Sequence, residues 1–199
     1  GVESIGANHG NKKNQNIYMD TCVMKTELFI SLIKEAKKLS SMYTLADILK
    51  ANCGTLDIRG VAHKGFFASI TDFPSYYDAN MNLLDYKAAQ ELFHENWPIY
   101  TRTNDSCPTQ YFDTAEVKNS VISNGCQIEG TVENSVIGRG CVIKKGAVVR
   151  NSVVLAEVTI GEGVHVENEV VDKWARLVHE KEIVSPADQP GYIRRGDTL

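Results

Sequence analysis

His165 is the side chain of the carboxyl-terminal half that is best suited to proton transfer. It lies in the segment GEGVHVEN and is the only histidine between residues 113 and 178. A positioned imidazole can take a proton from an acceptor hydroxyl, as acyl transfer to an alcohol requires. The residues around His165 alternate in polarity, which favours a solvent-facing histidine without a catalytic role.

Other side chains with metal-binding or acid–base chemistry do not form a motif. A zinc site needs three or four ligands, but the five histidines are far apart in the chain: His9, His63, His94, His165 and His179. Three carboxylates near predicted strand ends are equally typical of solvated turns: Asp20, Asp57 and Asp72. Three lysines could contact phosphate or remain solvated: Lys12, Lys13 and Lys64. The sequence therefore predicts no metal site and no catalytic set.

A short phrase of aliphatic residues around an asparagine recurs four times in the second half. Its copies are VKNSVI, VENSVI, VRNSVV and VENEVV, which begin at Val117, Val132, Val149 and Val166. The steps of 15, 17 and 17 residues, punctuated by Gly and Asn, indicate short strands joined by tight corners. We therefore predict about four coils of a parallel β-helix over residues 113–180, with stacked valines and a ladder of asparagines.

Residues 1–95 lack this period and read as an α/β segment. Strands are predicted at 16–24 and, as a pair, within 54–70, and helices at 26–40, 44–52, 73–85 and 86–94. Thr26 is a plausible cap of the first helix, and Thr44 with Asp47 resembles a capping box. Two strand regions are too few for a complete sheet, so we expect the rest of the sheet to lie upstream of Gly1 in a longer protein.

The remaining segments and the composition narrow the class of protein. Residues 96–112 contain two prolines and are interpreted as a linker, and 181–199 as a carboxyl-terminal tail in which Arg194 and Arg195 form a short basic group. A net charge of −4 with scattered lysines and arginines does not predict a nucleic-acid-binding surface. No apolar run approaches the roughly 18 residues of a membrane span. Five cysteines without a CxxC pair favour reduced thiols and a cytoplasmic location.

Three stretches in order resemble the bacterial ADP-glucose pyrophosphorylase family, also called glucose-1-phosphate adenylyltransferase. They are GFFASITDFPSYYDANMNLLD at 65–85, PIYTRTNDSCPTQYF at 98–112 and GTVENSVIGRGCVIKKGAVVRNSVV at 130–154. NIYMD at 16–20 occupies the position of the family segment Gly-Ile-Tyr-Val-Phe. The resemblance implies the carboxyl-terminal part of a Rossmann-like nucleotidyltransferase domain, incomplete here, followed by a left-handed parallel β-helix of the hexapeptide-repeat type. The left hand is implied by the resemblance alone.

Departures from the family pattern concern its sugar and metal site. Ser69 stands where the family has an aspartate that supports the metal, and Asn16 replaces the glycine before Ile17 and Tyr18. Asn16, Tyr18 and Ser69 are therefore predicted remnants of a sugar site, without a catalytic residue. A hydroxyl is a poor substitute for a carboxylate as a Mg²⁺ ligand, and Asp72 is not expected to replace it. These losses resemble the D-type glycogen-biosynthesis subunit, which is regarded as non-catalytic or regulatory.

The family reaction converts ATP and glucose 1-phosphate to ADP-glucose and pyrophosphate with Mg²⁺. The family's glycine-rich loop, with its Arg and Lys, is missing from these 199 residues, so we expect this chain to bind no ATP and to hold no cofactor. The resemblance implies a regulatory or degenerate subunit that contacts a catalytic subunit, or a second copy, through the β-helix. A hexapeptide-repeat acyltransferase using His165 and a purely structural assembly module remain as alternatives.

Overall fold

The computed structural model describes residues 1–6, 15–38, 44–101 and 105–199, in two compact units, Gly1–His63 and Lys64–Leu199. His9, Lys12, Lys13 and the end of the predicted helix 26–40 lie outside the described residues.

The first unit is built on two helices, α1 (Thr26–Ala36) and α2 (Leu45–Asn52). They bury Leu32, Ala36 and Ile48 against each other, as amphipathic faces require. The predicted capping box of α2 is confirmed: the Asp47 N–H donates to Thr44 Oγ1 over 3.2 Å, and the Thr44 N–H donates to Asp47 Oδ2 over 3.0 Å. The predicted cap Thr26 is wrong, since Thr26 is the first helical residue and Lys25 precedes it without a side-chain cap.

Neither predicted strand region of the front half forms a strand in the part of the chain that the structure describes. Asp20 has a φ of 55° and Gly65 a φ of 119°, and each interrupts an otherwise extended run. A strand also needs a neighbouring backbone that takes its N–H and C=O groups. The Val2 N–H donates to the Ile58 carbonyl over 2.7 Å, but no ladder follows from it among the described residues.

The second unit begins with helices α3 (Phe73–Met81) and α4 (Tyr86–Leu92), separated by a 3₁₀ turn at Asn82–Leu84. Asp72 is the N-cap of α3, where its carboxylate accepts from the Ser75 N–H over 2.9 Å, and a proline lies in the first turn. Two hydrogen bonds from Ser75 lower the pKa of the Asp72 carboxyl. This candidate carboxylate is therefore a helix cap, which its sequence context could have indicated.

The rest of the second unit is a three-faced parallel coil with five strands on each face. The first face contains β1 (Gln110–Tyr111), β4 (Gln127–Ile128), β7 (Val142–Ile143), β10 (Thr159–Ile160) and β13 (Arg176–Leu177). The second face contains β2 (Glu116–Lys118), β5 (Thr131–Glu133), β8 (Val148–Arg150), β11 (His165–Glu167) and β14 (Glu182–Val184). The third face contains β3 (Val121–Ile122), β6 (Val136–Ile137), β9 (Val153–Val154), β12 (Glu169–Val171) and β15 (Gly191–Ile193).

The predicted stacking of valines is confirmed. Val117, Val132, Val149 and Val166 are register partners in successive strands, and Ile183 continues the column. Buried aliphatics of the other two faces complete the interior. Full burial of each such side chain is worth roughly 1.5–3 kcal/mol. The parallel coil is consistent with the left-handed β-helix that the resemblance implied, and its strands extend beyond the predicted 113–180 at both ends because the same in-register pairing continues there.

Two polar ladders run along the corner before the third face. Asn119 Nδ2 donates to Asn134 Oδ1 over 2.8 Å and Asn134 Nδ2 to Asn151 Oδ1 over 3.4 Å. The predicted asparagine ladder is therefore confirmed for the first three copies of the phrase, whereas Asn168 Nδ2 in the fourth copy donates to the Ser185 carbonyl over 2.8 Å. Beside it, the Ser135 N–H donates to Ser120 Oγ over 3.2 Å and the Ser152 N–H to Ser135 Oγ over 3.1 Å. The serine ladder satisfies polar groups that stacking removes from water, whereas Asn119 and Asn134 remain exposed.

The last coil is closed by the chain that follows it. The Leu199 N–H donates to the Arg176 carbonyl over 3.0 Å, and the Leu199 side chain packs on the interior. The Arg195 guanidinium lies 4.0 Å from the centre of the Trp174 ring, a cation–π contact. The residues expected to form a tail therefore belong to the coil, and Arg195 covers an aromatic ring.

Asn134 contributes in two ways: its backbone adopts a φ of 46°, and its side chain forms hydrogen bonds of the asparagine ladder. Two substitutions distinguish the backbone contribution from the side-chain contribution. Asn134→Gly removes the ladder bonds but tolerates the backbone, so we expect a loss of about 0.5–1 kcal/mol in the free energy of unfolding. Asn134→Ala adds backbone strain and should cost about 1 kcal/mol more. Urea unfolding followed by circular dichroism measures both. Equal stability of the two variants would show that the backbone conformation is not the constraint.

Candidate functional site

Ser69, the expected metal-site position, lies on the surface of the second unit just before α3. It follows the exposed Phe67 and precedes the exposed Ile70. Thr71 and Asp72 then lead into the helix, and both of their N–H groups donate to Ser75 Oγ over 3.0 Å. Ser69 therefore presents a neutral hydroxyl from a segment whose end is fixed by the cap of α3.

Asn16 and Tyr18, the other expected sugar-site positions, are exposed in the first unit. Partial burial, a hydrogen bond with the Cys22 thiol and the charge of Asp20 raise the pKa of the Tyr18 hydroxyl. The role of Asn16, Tyr18 and Ser69 in binding a sugar stays a prediction. Asp57 in the same unit forms a 2.7 Å ion pair with Arg59, and such an exposed pair contributes at most about 1 kcal/mol.

Helix α3 lies against the outer side of the third face. The Tyr77 hydroxyl donates to the Asn151 carbonyl over 2.5 Å, and Phe73 meets Tyr192 edge-on with ring centres 5.8 Å apart. Val153 and Val170 are fully buried although they do not belong to the interior cluster of the coil. The helix therefore packs on the coil through Phe73 and Tyr77, and it attaches the Ser69 segment to the coil.

His165 is held between two carboxylates on the outer side of the second face. Its Nδ1 lies 3.0 Å from Glu182 Oε2 on β14, and its Nε2 lies 3.1 Å from Glu167 Oε2 on its own strand. The side chain is half-buried. Both ring nitrogens therefore have structural partners, and the geometry favours the interpretation of His165 as a bridge between coils.

Charges alternate across the same face. The Arg150 guanidinium donates to Glu133 Oε2 over 2.9 Å, and register places Lys118 before this pair and Glu167 after it. On the first face Lys144 donates to Glu129 over 3.2 Å. This surface is therefore electrically mixed, with no single-signed patch along these strands.

Within the described ranges, no group of three or more His, Cys, Asp or Glu side chains could hold a metal ion. None of the described helices is long and apolar enough to cross a membrane. All five cysteines are free thiols. Cys126 and Cys141 are buried in successive coils, as expected of small apolar residues, and contact with Cys126 together with burial raises the pKa of the Cys141 thiol.

Comparisons with known proteins agree with this architecture. Residues 108–189 match the family described as GlmU-like, C-terminal hexapeptide. Over 141 residues, 70% of this chain and 34% of the relative, the chain is 33% identical to the glucose-1-phosphate adenylyltransferase of Fervidobacterium nodosum. Over 174 residues, 87% of this chain and 50% of the relative, it is 30% identical to the glycogen biosynthesis protein GlgD of Bacillus subtilis. The GlgD protein of Geobacillus stearothermophilus is 35% identical over 131 residues.

The chain is homologous to the glucose-1-phosphate adenylyltransferase and GlgD proteins. The resemblance to the ADP-glucose pyrophosphorylase family, predicted from the Ala-Asn-Met helix and the repeat, is thereby confirmed. The chain spans half or less of the length of the three relatives named above. The contact of α3 with the coil could not be predicted from the Ala-Asn-Met helix or from the repeat alone.

Tyr77→Phe tests whether the hydroxyl bond to Asn151 holds α3 on the coil. We expect the free energy of unfolding to fall by about 1 kcal/mol, because a half-buried carbonyl loses its donor. Tyr76→Phe on the same helix is the matched control and should cost less.

Burial raises the pKa of the Tyr77 hydroxyl above its usual 10.0, so this contribution is complete below pH 10 and is lost as the pH rises through the raised pKa. The stability difference between the parent and Tyr77→Phe should therefore shrink in strongly alkaline solution. Equal losses in both Phe variants at neutral pH would contradict the assignment.

Proposed function

We propose that this chain is part of a glycogen-biosynthesis subunit of the ADP-glucose pyrophosphorylase family whose role is regulatory or supporting rather than catalytic. Similarity to the Bacillus subtilis GlgD protein over 87% of the chain supports the family part of the proposal. The neutral, exposed side chain of Ser69, at the position where the family has a metal-supporting aspartate, supports the non-catalytic part. The latter observation carries the proposal.

Mg²⁺ belongs to the family reaction, and the described residues do not fit it. Mg²⁺ is held by carboxylates and phosphate oxygens in near-octahedral geometry, whereas Ser69 offers a hydroxyl and no cluster of carboxylates lies among the described residues. We assign no step of the reaction to this chain. In our proposal ATP, glucose 1-phosphate and Mg²⁺ are bound by a catalytic partner.

The open end of the coil supports assembly through the β-helix. β1, β2 and β3 each have a single strand neighbour, on the side of the second coil. Tyr111 is 54% exposed there, Val121 45% and Val117 40%. Unpaired strand edges with apolar side chains favour contact with another chain. We propose a catalytic subunit, or a second copy of this chain, as the partner, in the cytoplasm where the free thiols remain reduced.

Mixing this chain with a glucose-1-phosphate adenylyltransferase from the same organism tests both parts. We expect no ADP-glucose from the chain alone and no binding of ATP in isothermal titration. We also expect a complex in light scattering after size exclusion, together with a changed maximal rate of the catalytic subunit. ADP-glucose formed by the chain alone would overturn the non-catalytic role, and a strict monomer without effect on the rate would overturn the assembly.

Val117→Asp locates the contact, because it places a charge at the open end where the valine is already 40% exposed. Val184→Asp is a control at the opposite end of the same face, in the register column of Glu167 rather than that of Val117, where the valine is 52% exposed. We expect Val117→Asp to abolish the complex and Val184→Asp to preserve it, while circular dichroism shows that both variants fold. The reverse pattern would place the contact elsewhere.

The acyltransferase alternative is tested on the same material. It requires binding of acetyl-CoA that depends on His165, whereas a structural bridge requires only that His165→Ala lowers stability. We expect no acetyl-CoA binding by the parent chain. Binding that disappears in His165→Ala would support the alternative.

A further inference from the structure

Glu169 breaks the serine ladder in the fourth coil. Its N–H donates to Ser152 Oγ over 3.1 Å, as Ser152 and Ser135 do to the serine before them. The side chain of Glu169 carries a carboxyl group, whereas the equivalent residues of the earlier coils, Ser120, Ser135 and Ser152, carry a hydroxyl. A longer, ionisable group therefore occupies a corner that is otherwise filled by serine.

The Glu169 carboxyl is enclosed by the last coil. The residue is only 4% exposed, and Ser185 Oγ donates to its Oε1 over 2.5 Å. Gly191 on β15 is the register partner of Glu169 on β12. Any Cβ at Gly191 would collide with both carboxyl oxygens of Glu169 and with Ser185 Oγ. The glycine therefore makes room for the carboxyl group, so the two positions are adapted to each other.

The enclosing corner is also longer than its equivalents. Twenty-two residues separate the paired Val170 and Tyr192, whereas 17 separate the paired Val153 and Val170. The extra residues lie between β14 and β15, where Ser185 is fixed three times to the fourth coil. Its N–H donates to the Glu167 carbonyl over 3.1 Å, its carbonyl accepts from Asn168 Nδ2 over 2.8 Å, and its hydroxyl donates to Glu169.

No charged partner compensates Glu169 among the described residues that touch its carboxyl group. Ser185, which follows β14, and Gly191 on β15 are both neutral. The charged groups of neighbouring elements are engaged elsewhere. Glu167 and Glu182 contact His165, Arg150 pairs with Glu133, and Asp172 accepts from the Tyr192 hydroxyl. Asp188, within the long corner, is exposed.

A buried carboxyl group without a cation favours its protonated form. Burial accordingly raises the pKa of Glu169 above its usual 4.5, and the hydrogen bond from Ser185 offsets this only in part. A raised folded-state pKa means that the stability of the enclosing coil is complete below pH 4.5 and declines as the pH rises through the folded-state value. Ionisation therefore acts against the closed corner.

We propose that Glu169 and Ser185 form a pH-sensitive latch on β14 and β15. The protonated carboxyl holds the long corner closed, and ionisation loosens these two strands and exposes the edges of β11 and β12. This device is separate from the open end at β1–β3, so the latch and the proposed assembly can fail independently. Ionisation of Glu169 thereby lowers the stability of the end of the coil that carries Trp174 and Arg195.

Amide hydrogen exchange followed by mass spectrometry on the full chain tests the latch between pH 5 and 8. After correction for intrinsic exchange, we expect the opening of peptides covering β14 and β15 to increase with pH, by about tenfold for each unit by which the pKa is raised. Peptides covering β5–β8 should show no such trend. In Glu169→Gln, which is neutral at every pH, the trend should disappear.

Glu180→Gln is the matched control, because Glu180 is an exposed carboxylate just before β14, and it should keep the trend. If Glu169→Gln does not fold, Glu169→Ser, which restores the ladder residue, is measured instead with the same expectation. A pH trend in the neutral Glu169 variant equal to that of the parent, or no trend in the parent, would overturn the latch.

Discussion

Every strand of the coil depends on in-register pairing with a strand of a neighbouring coil. The strands are only two or three residues long, too short to be stable singly, and each takes its backbone partners from residues 15 or 17 positions away, or 22 positions away between β12 and β15. Register therefore determines everything else. It places one aliphatic column inside each face, and it brings like residues into contact. The asparagines therefore form an exposed ladder, and the buried serines form a ladder rather than isolated buried polar groups.

This dependence explains why the second half was readable from sequence. A repeat shows the residues that will stack, because equivalent positions must carry equivalent types. Val117, Val132, Val149 and Val166 were identified in that way, and so was the asparagine ladder. The capping box at Thr44 and Asp47 was readable for a different reason, since its partners are three residues apart and need no tertiary context. Where both partners of an interaction follow from local spacing, sequence suffices.

The first half and the contacts of α3 show where this reasoning stops. Segments 16–24 and 54–70 have strand-like composition, but composition does not supply a neighbouring backbone, and the positive φ of Asp20 and Gly65 was not visible in the pattern. The Tyr77 hydroxyl donates to the carbonyl of Asn151, 74 positions away in the chain. Sequence spacing carries no information about such a partner. The sequence identified the candidate residues Asn16, Tyr18 and Ser69, but their exposure and their neighbours could be described only from the structure.

The departures from the repeat are the informative residues, since the repeat itself only builds the coil. Glu157 and Trp174 have φ near 60° at corners where the corresponding positions of other coils are Gly125, Gly140 and Gly196. Backbone in this region is unfavourable for a bulky residue, and at Trp174 the ring is covered by Arg195. Glu169 replaces a ladder serine, and the absence of a Cβ at Gly191 leaves space for its carboxyl group. These exceptions lie in the fourth and fifth coils. At the other end, the first coil follows the repeat, and its strands β1, β2 and β3 each have one unpaired edge. The two ends of one regular coil therefore have different properties: an apolar edge suited to a partner at the start, and a corner at the end that is closed by a single ionisable group.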